Sequence, residues 1–321
     1  MAEADFEAPL VELQKQIDEL AKWPGDPDKD KEARRLRHEL DARRREVYAN
    51  LSPWQKTLVA RHPNRPYTLD YVQALCTEWT ELHGDRRYAD DPALVGGLAL
   101  FHDVPVCVIG HQKGRDTKQK IHRNFGMPKP EGYRKAMRLM ELAARFGRPI
   151  LSFVDTPGAY PGLDAEERGQ AEAIAWNLRE MARLETPIIV TVTGEGGSGG
   201  ALAIAVGDRV NMLEHSVYSV ISPEGCASIL FRDASRAEQA ATAMKITARD
   251  LLAMGIVDEV IEEPPGGAHV NHEALFKSVD SVLWRQLGEL MKTPRERLPD
   301  SRYKKFRDMG RVGREFLDVG P

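Results

Sequence analysis

The run Gly194-Glu195-Gly196-Gly197-Ser198-Gly199-Gly200 constrains this chain more than any other segment. An apolar, β-branched stretch, Pro187 to Val192, precedes it, and Ala201-Leu202-Ala203-Ile204-Ala205-Val206 follows. The order is strand, glycine loop, short apolar helix. Such a junction aims backbone N–H groups at one point, at the positive end of a helix. Glycine is needed there because a ligand must approach the backbone closely or because φ is positive.

Three patterns fit the loop at once. Gly194-x-Gly196-x-x-Gly199 matches the dinucleotide fingerprint, with Glu214 about twenty residues on. Gly196-x-Ser198-x-Gly200 matches the nucleophile elbow of the α/β-hydrolases. The third reading is an oxyanion hole, in which the glycine amides act and no side chain reacts. A phosphate-binding P-loop is excluded, because no Gly-Lys-Ser/Thr follows the glycines. Length counts against the dinucleotide reading: Gly207-Asp208 ends the helix begun near Gly199, and a Rossmann crossover needs a longer one. That helix is also apolar on every side, as a buried helix is. The hydrolase reading needs an acid and then a His after the serine. Asp208, Glu214, His215, His269 and His272 follow it, but none sits in a telling loop. Neither reading is closed by the residues alone.

At 321 residues, 42% hydrophobic, the chain can build one large core with an extension. A net charge of −4 gives no global field favouring nucleic acid. Cys76, Cys107 and Cys226 form no CxxC pair, so neither a disulfide framework nor a zinc site is expected, and a reducing cytoplasm is. The acidic start lacks the basic region of a signal peptide, and no apolar stretch is long enough to span a membrane.

Residues 1–60 are expected to form a helical arm. Leu10, Leu13, Ile17 and Leu20 make one stripe, Trp23-Pro24-Gly25-Asp26-Pro27 breaks it, and a second helix from about Lys31 to Tyr48 carries Leu36, Leu40 and Val47. This hairpin either packs on its own domain or grips another subunit. Tyr67-Thr68-Leu69-Asp70 caps a helix expected to run to about Leu82. Strands Val95–Phe101 and Val104–Ile109 form a hairpin around His102-Asp103. Helices at 131–146 and 164–184 then alternate with strands Pro149–Val154 and Pro187–Val192. Further strands at Arg209–Leu213 and Val217–Ile221 follow, with helices opened by Ser222-Pro223-Glu224-Gly225 and holding Ile246–Leu252. The alternation predicts an α/β fold with much parallel pairing. Pro264-Pro265-Gly266-Gly267 reads as a linker. The segment 276–321 reads as a C-terminal helix and a basic tail, loosely ordered or lying on a partner.

Two loops follow strands in the same sense, the glycine run and Asp155-Thr156-Pro157-Gly158-Ala159-Tyr160-Pro161-Gly162. Ligands of α/β sheets collect at such strand ends. Between Gly110 and Arg148 lie Lys113, Arg115, Lys118, Lys120, Arg123, Lys129, Arg134, Lys135 and Arg138 with few acids. They are candidates for binding a nucleotide phosphate or an acidic partner, or else form a solvated face. His111 is a candidate base.

Seven runs together carry a family resemblance: Arg65–Tyr71, Ile109–Arg115, Asn124–Pro128, Asp155–Gly162, Glu166–Gln170, Gly194–Ala203 and Ile221–Ser228. The chain resembles, over about residues 8–275, the carboxyltransferase alpha subunit of bacterial acetyl-CoA carboxylase. Ile246–Val260 is similar to the closing helix and strand of the crotonase-like superfamily. The resemblance implies a crotonase-like fold of stacked ββα units over 61–275, behind the N-terminal helical hairpin. It implies transfer of a carboxyl group from carboxybiotin, on a carrier protein, to acetyl-CoA to give malonyl-CoA. Gly199 and Gly200 match the family's oxyanion glycines. Gly196, Gly197, Gly158, Ala159, Tyr160, Pro161 and Gly162 fall on the carboxybiotin side, and Lys113 and Arg115 are candidate anion contacts. The implied partners are a zinc-bearing beta subunit of related fold, the biotin carboxyl carrier protein and biotin carboxylase. The implied assembly is a cytoplasmic α2β2 hetero-oligomer, with no metal in this chain. Carboxyl transfer develops charge on a thioester enolate and on biotin's ureido oxygen, and both want preorganised donors. Biotin's own nitrogen can take the methyl proton, so no catalytic side chain is demanded. The competing expectations are a self-sufficient crotonase-like hydratase or thioester hydrolase, needing an acid over the acyl group, and a non-catalytic assembly subunit.

Overall fold

A computed structural model describes residues 5–23 and 25–310. Helices α1 (Ala8–Ala21) and α2 (Pro27–Ala49) form the expected hairpin. Asp26 caps α2 by accepting from the Asp28 and Lys29 amides, so the helix starts earlier than the apolar pattern alone marks. Leu10 and Ile17 pack on Leu36, Leu40 and Tyr48, and the cluster continues into Val59 of α3 (Pro53–Ala60). Tyr48 also meets His215 and His269 edge-on or tilted, so the hairpin rests on its own domain.

After α4 (Thr68–Leu75) the chain departs from expectation. Residues Thr77–Glu81 are strand β1, not the end of a helix to Leu82. Thr and Trp favour a pleated surface, and pairing with β2 (Leu94–Phe101) decides the matter against weak helical propensity. Strand β3 (Val104–His111) returns antiparallel to β2, and the turn residues His102 and Asp103 both have positive φ. Helices α5 (Thr117–His122) and α6 (Pro130–Arg145) lead to β4 (Ile150–Thr156). The single helix expected over 164–184 is two, α7 (Leu163–Glu167) and α8 (Gln170–Met181), because Gly169 sits at φ +82° between them.

Strand β5 runs from Ile188 to Gly197, through most of the glycine run, because β7 (Val217–Ser219) pairs with its end. The short α9 (Ser198–Leu202) and β6 (Arg209–Leu213) follow β5. Helices α10 (Pro223–Phe231), α11 (Ala237–Met244) and α12 (Ala248–Ala253) precede β8 (Glu259–Ile261). The sheet order is β1-β2-β3-β4-β5-β6-β8, antiparallel at its start and parallel from β3 onward. This is the crotonase-like α/β fold.

Pro264–Gly267 is no linker. Gly267 N–H bonds the Pro264 carbonyl in a turn whose two glycines, both at positive φ, are buried against Tyr48 and Arg44. Helix α13 (His272–Leu290) crosses residue 275 without a break and packs Leu275, Val279, Leu283 and Leu287 on the sheet. The tail up to Gly310 is not loosely ordered. Helix α14 (Leu298–Asp308) buries Arg302, whose guanidinium meets Asp208 and the Met181, Leu184 and Thr186 carbonyls. Residues 311–321 of the expected basic tail lie outside the described residues.

Candidate active site

The two loops singled out by sequence touch. A β-carbon on Gly197 would overlap the Pro157 carbonyl, and one on Gly200 would overlap Gly158 and Ala159. Glycine is therefore required at both positions by close approach of backbone to backbone. The Pro157–Gly162 loop is tied locally. Thr156 Oγ1 donates to the Gly158 carbonyl at 2.7 Å, Tyr160 N–H donates to Pro128 at 3.0 Å, and Gln170 Nε2 donates to Pro128 and Tyr160 carbonyls. Tyr218 backs Gly196, and the Tyr160 ring folds over Gly162 while Pro161 stays exposed. Gly158 and Gly199 differ from their neighbours. A β-carbon on Gly158 would meet nothing within 4 Å, and one on Gly199 would stand 3.5 Å from Ile174, an ordinary contact. Gly199 and Gly200 lie in the first turn of α9, where N–H groups have no intrahelical acceptor. Gly158, Ala159, Tyr160, Pro161, Gly162, Gly196, Gly197, Gly199 and Gly200 thus form one constellation at the carboxyl ends of β4 and β5.

Ser198 sits at φ +51° on a sharp strand-to-helix turn, the backbone that a nucleophile elbow uses. It has no triad. His215 and His269 belong to a cluster around Tyr48 and Glu263, Asp208 is held by Arg302, and among the described residues no histidine bonds to Ser198. Beside Ser198 opens an apolar cavity of about 290 Å³ lined by Leu202, Tyr218, Leu251 and Phe306. The Phe306 wall comes from α14, a contribution with no local sequence signal.

The cations proposed as anion contacts already have partners. Lys113 Nζ lies 2.7 Å from Asp155 and 3.0 Å from Glu195. Burial alone would depress its pKa; the two carboxylates outweigh that and hold it above the ordinary lysine value. Arg115 pairs with Asp70 at 2.5 Å and lies over the Tyr67 ring. An incoming anion would have to displace these carboxylates. Acids balance part of the wider basic run in space: Arg134 pairs with remote Asp85 and with Glu131 three residues before it, Lys135 with Asp90, and Lys129 with Asp164. Lys118 is exposed on α5.

His111 is fully buried beneath the loops. Its Nδ1 faces the Asp155 N–H at 3.4 Å, and its Nε2 has no hydrogen-bond partner. Burial first, then the Lys113 charge, push its pKa down to about 3, against a weak pull from the Gly200 backbone. It is neutral at physiological pH and is no reservoir of protons. Sequence reasoning missed the contacts of Glu195 with Lys113 and Arg61. An acid inside a loop expected to hold an anion demands a buried cation nearby, and that was the available signal.

The fold itself defines a class. The chain superposes on the transcarboxylase 12S core with a TM-score of 0.56 at 20% identity, covering 71% of this chain and 43% of that one. It superposes on a Pseudomonas malonate decarboxylase hetero-tetramer subunit with a TM-score of 0.55 at 21% identity, covering 66% and 85%. At these identities the likeness is one of fold, that of crotonase-like enzymes. Residues 3–310 match the family model described as acetyl co-enzyme A carboxylase carboxyltransferase-like. The chain is 59% identical over 308 residues to the acetyl-coenzyme A carboxylase carboxyl transferase subunit alpha of Geobacter metallireducens, covering 96% of this chain and 97% of the relative. It is 62% identical over 272 residues to that of Geobacter sulfurreducens, covering 85% of each. This chain belongs to the acetyl-CoA carboxylase carboxyltransferase alpha-subunit family.

Proposed function

We propose that this chain is the biotin-side subunit of a two-subunit carboxyltransferase, moving a carboxyl group from carboxybiotin on a separate carrier protein to acetyl-CoA to give malonyl-CoA. One observation carries the reading: two interlocked backbone loops present amide donors at a helix start, with no nucleophile–base pair beside them among the described residues. The Gly199 and Gly200 N–H groups are aimed where an oxygen gains negative charge, and such preorganised donors act without reorganising. A β-carbon on Gly158 would meet nothing within 4 Å and one on Gly199 only an ordinary Ile174 contact, which supports space beside the loop pair for a compact ring system such as biotin's. When bound, biotin supplies the carboxyl group and a basic nitrogen. Tyr160, with the Lys129 ammonium 4.7 Å from its ring centre, belongs to the same loop.

A self-sufficient hydratase is disfavoured because the carboxylates at the strand ends, Asp155 and Glu195, are engaged by Lys113 and Arg61. Val220, Ile229 and Leu230, on or beside α10, are strongly exposed, which supports a second chain docking nearby. We assign that role to the zinc-bearing beta subunit of a cytoplasmic α2β2 assembly, served by the carrier protein and biotin carboxylase. Among the described residues no cluster of His, Cys, Asp or Glu is placed to hold a metal, and no helix is long and apolar enough to cross a membrane. The test is malonyl-CoA formation from carboxybiotin by this chain, by the partner and by their mixture. Activity only in the mixture is expected. Full activity of this chain alone would overturn the shared site, and activity of the partner alone would leave this chain a non-catalytic assembly subunit.

A further inference from the structure

The ladder between β4 and β5 breaks at the site. Val154 pairs with Val192, but the next pair is Thr156 with Gly196, so Asp155 alone faces Thr193, Gly194 and Glu195. Backbone bonds that would fix the relative register of the two loops are lost where that register matters most. Side chains take their place. Asp155 Oδ1 accepts from the Glu195 N–H at 2.9 Å and from Lys113 Nζ at 2.7 Å. Lys113 also donates to Glu195 Oε2 at 3.0 Å. Glu195 Oε1 accepts from Arg61 Nε at 2.7 Å, and the Arg61 guanidinium spans both oxygens of Glu224 at the start of α10. Gly194 lacks a side chain because a β-carbon there would overlap the Asp155 carboxylate.

We propose that Lys113, Asp155, Glu195 and Arg61 are positioning residues, a brace of alternating charge that sets the two site loops and the α10 start in one register. The proposal rests on the glycine-amide reading of the site. Every member is largely buried, with side-chain exposures of 14% for Lys113, 4% for Asp155, 12% for Glu195 and 25% for Arg61. Removing one partner from such a group leaves a buried charge uncompensated. Without Lys113, the Asp155 and Glu195 carboxylates would face each other across the bulge and drive β4 and β5 apart. The amides at Gly199 and Gly200 follow Glu195 by four and five residues, so a shift in the strand end is carried directly to them. Misplacement by about 1 Å costs on the order of 10²-fold in rate.

The experiment uses the complex reconstituted with its partner subunit and follows malonyl-CoA formation. Lys113→Gln and Glu195→Gln should each lower kcat about 10- to 100-fold, with KM for acetyl-CoA within about twofold of the parent. Lys113→Arg keeps both carboxylates bridged and should recover most of the rate. The double variant Lys113→Gln/Glu195→Gln should lose less than the product of the single losses, because both break one network. Unchanged kcat in both single variants overturns the proposal, and so does a rise in KM with kcat intact, which marks a substrate contact. If Lys113→Gln does not assemble, Glu195→Gln and Lys113→Arg decide the same point. Failure of all three to assemble also overturns it, since the group then serves folding alone. Gly199→Val separates this from the reading beneath it: a fully active Gly199→Val complex defeats the amide assignment whatever the Lys113 variants show.

Discussion

Gly200 and Ala159 stand backbone against backbone: a β-carbon on Gly200 would lie 2.5 Å from the Ala159 nitrogen. The Pro157–Gly162 loop cannot move to make room without breaking the Thr156 and Gln170 bonds that hold it. Gly200→Ala is expected to lower the stability of the reconstituted complex by about 1–3 kcal/mol, as overpacking does, as well as its turnover. Thermal unfolding of the complex checks this; an unchanged midpoint would show that the loops do not pack as described.

Ser198 has the strained backbone of a nucleophile and none of its partners. Ser198→Ala should keep turnover within a few fold of the parent, and Ser198→Gly, which relieves the positive φ, should do the same. A loss approaching that of a deleted nucleophile would restore the hydrolase reading.

The glycine loop, the N-terminal hairpin and the β2–β3 turn were legible because each is written in neighbouring residues. The brace was not. Lys113 is 42 residues from Asp155 and 82 from Glu195, and Arg61 is 134 from Glu195, so only the sheet order brings them together. The same reason makes the basic run misleading: apart from Glu131, the acids that pair with it lie at Asp85, Asp90 and Asp164, before and after it in sequence. Thr77–Glu81 was misread as helix because an edge strand is decided by pairing with β2. Arg302 turned an apparently free polar tail into a docked helix through one buried guanidinium.

Arg65 and Glu263 form a buried pair at 2.7 Å, with Arg65 also donating to the Thr193 carbonyl just before the glycine loop. Burial would raise the Glu263 pKa; Arg65 overcomes it and brings it down to about 2. The stabilisation is therefore full above the ordinary carboxyl pKa and is lost as pH falls towards 2. Glu263→Gln strands the guanidinium and should cost about 3–5 kcal/mol at neutral pH. Chemical denaturation at pH 7 measures it; a cost below about 1 kcal/mol would contradict the account.

Burial, then the charges of His62 and Arg65, hold His269 neutral with its pKa near 3. The unfolded chain binds this proton near pH 6.5 and the folded chain only near 3, so stability falls as pH drops through that window. Its share of the slope is about 1.4 kcal/mol per pH unit. His269→Phe keeps a ring to stack on His62, 3.8 Å away between centroids, but cannot titrate. Unfolding free energy measured from pH 7 to 4 should fall less steeply in this variant; an identical slope would remove His269 from the account.

The most direct measurement is the turnover of Gly199→Val in the reconstituted complex. Gly199 has an ordinary backbone, and its β-carbon position is free of clashes, so the variant can fold. A branched side chain there, beside Ile174, is expected to crowd the approach to the Gly199 and Gly200 amides. Losing one oxyanion donor costs roughly 10²–10³ in rate, and blocking both should cost at least as much. The expected result is a complex of parental thermal stability whose carboxyl transfer is reduced by that factor or more; a stable complex with near-normal turnover would contradict the assignment of these amides.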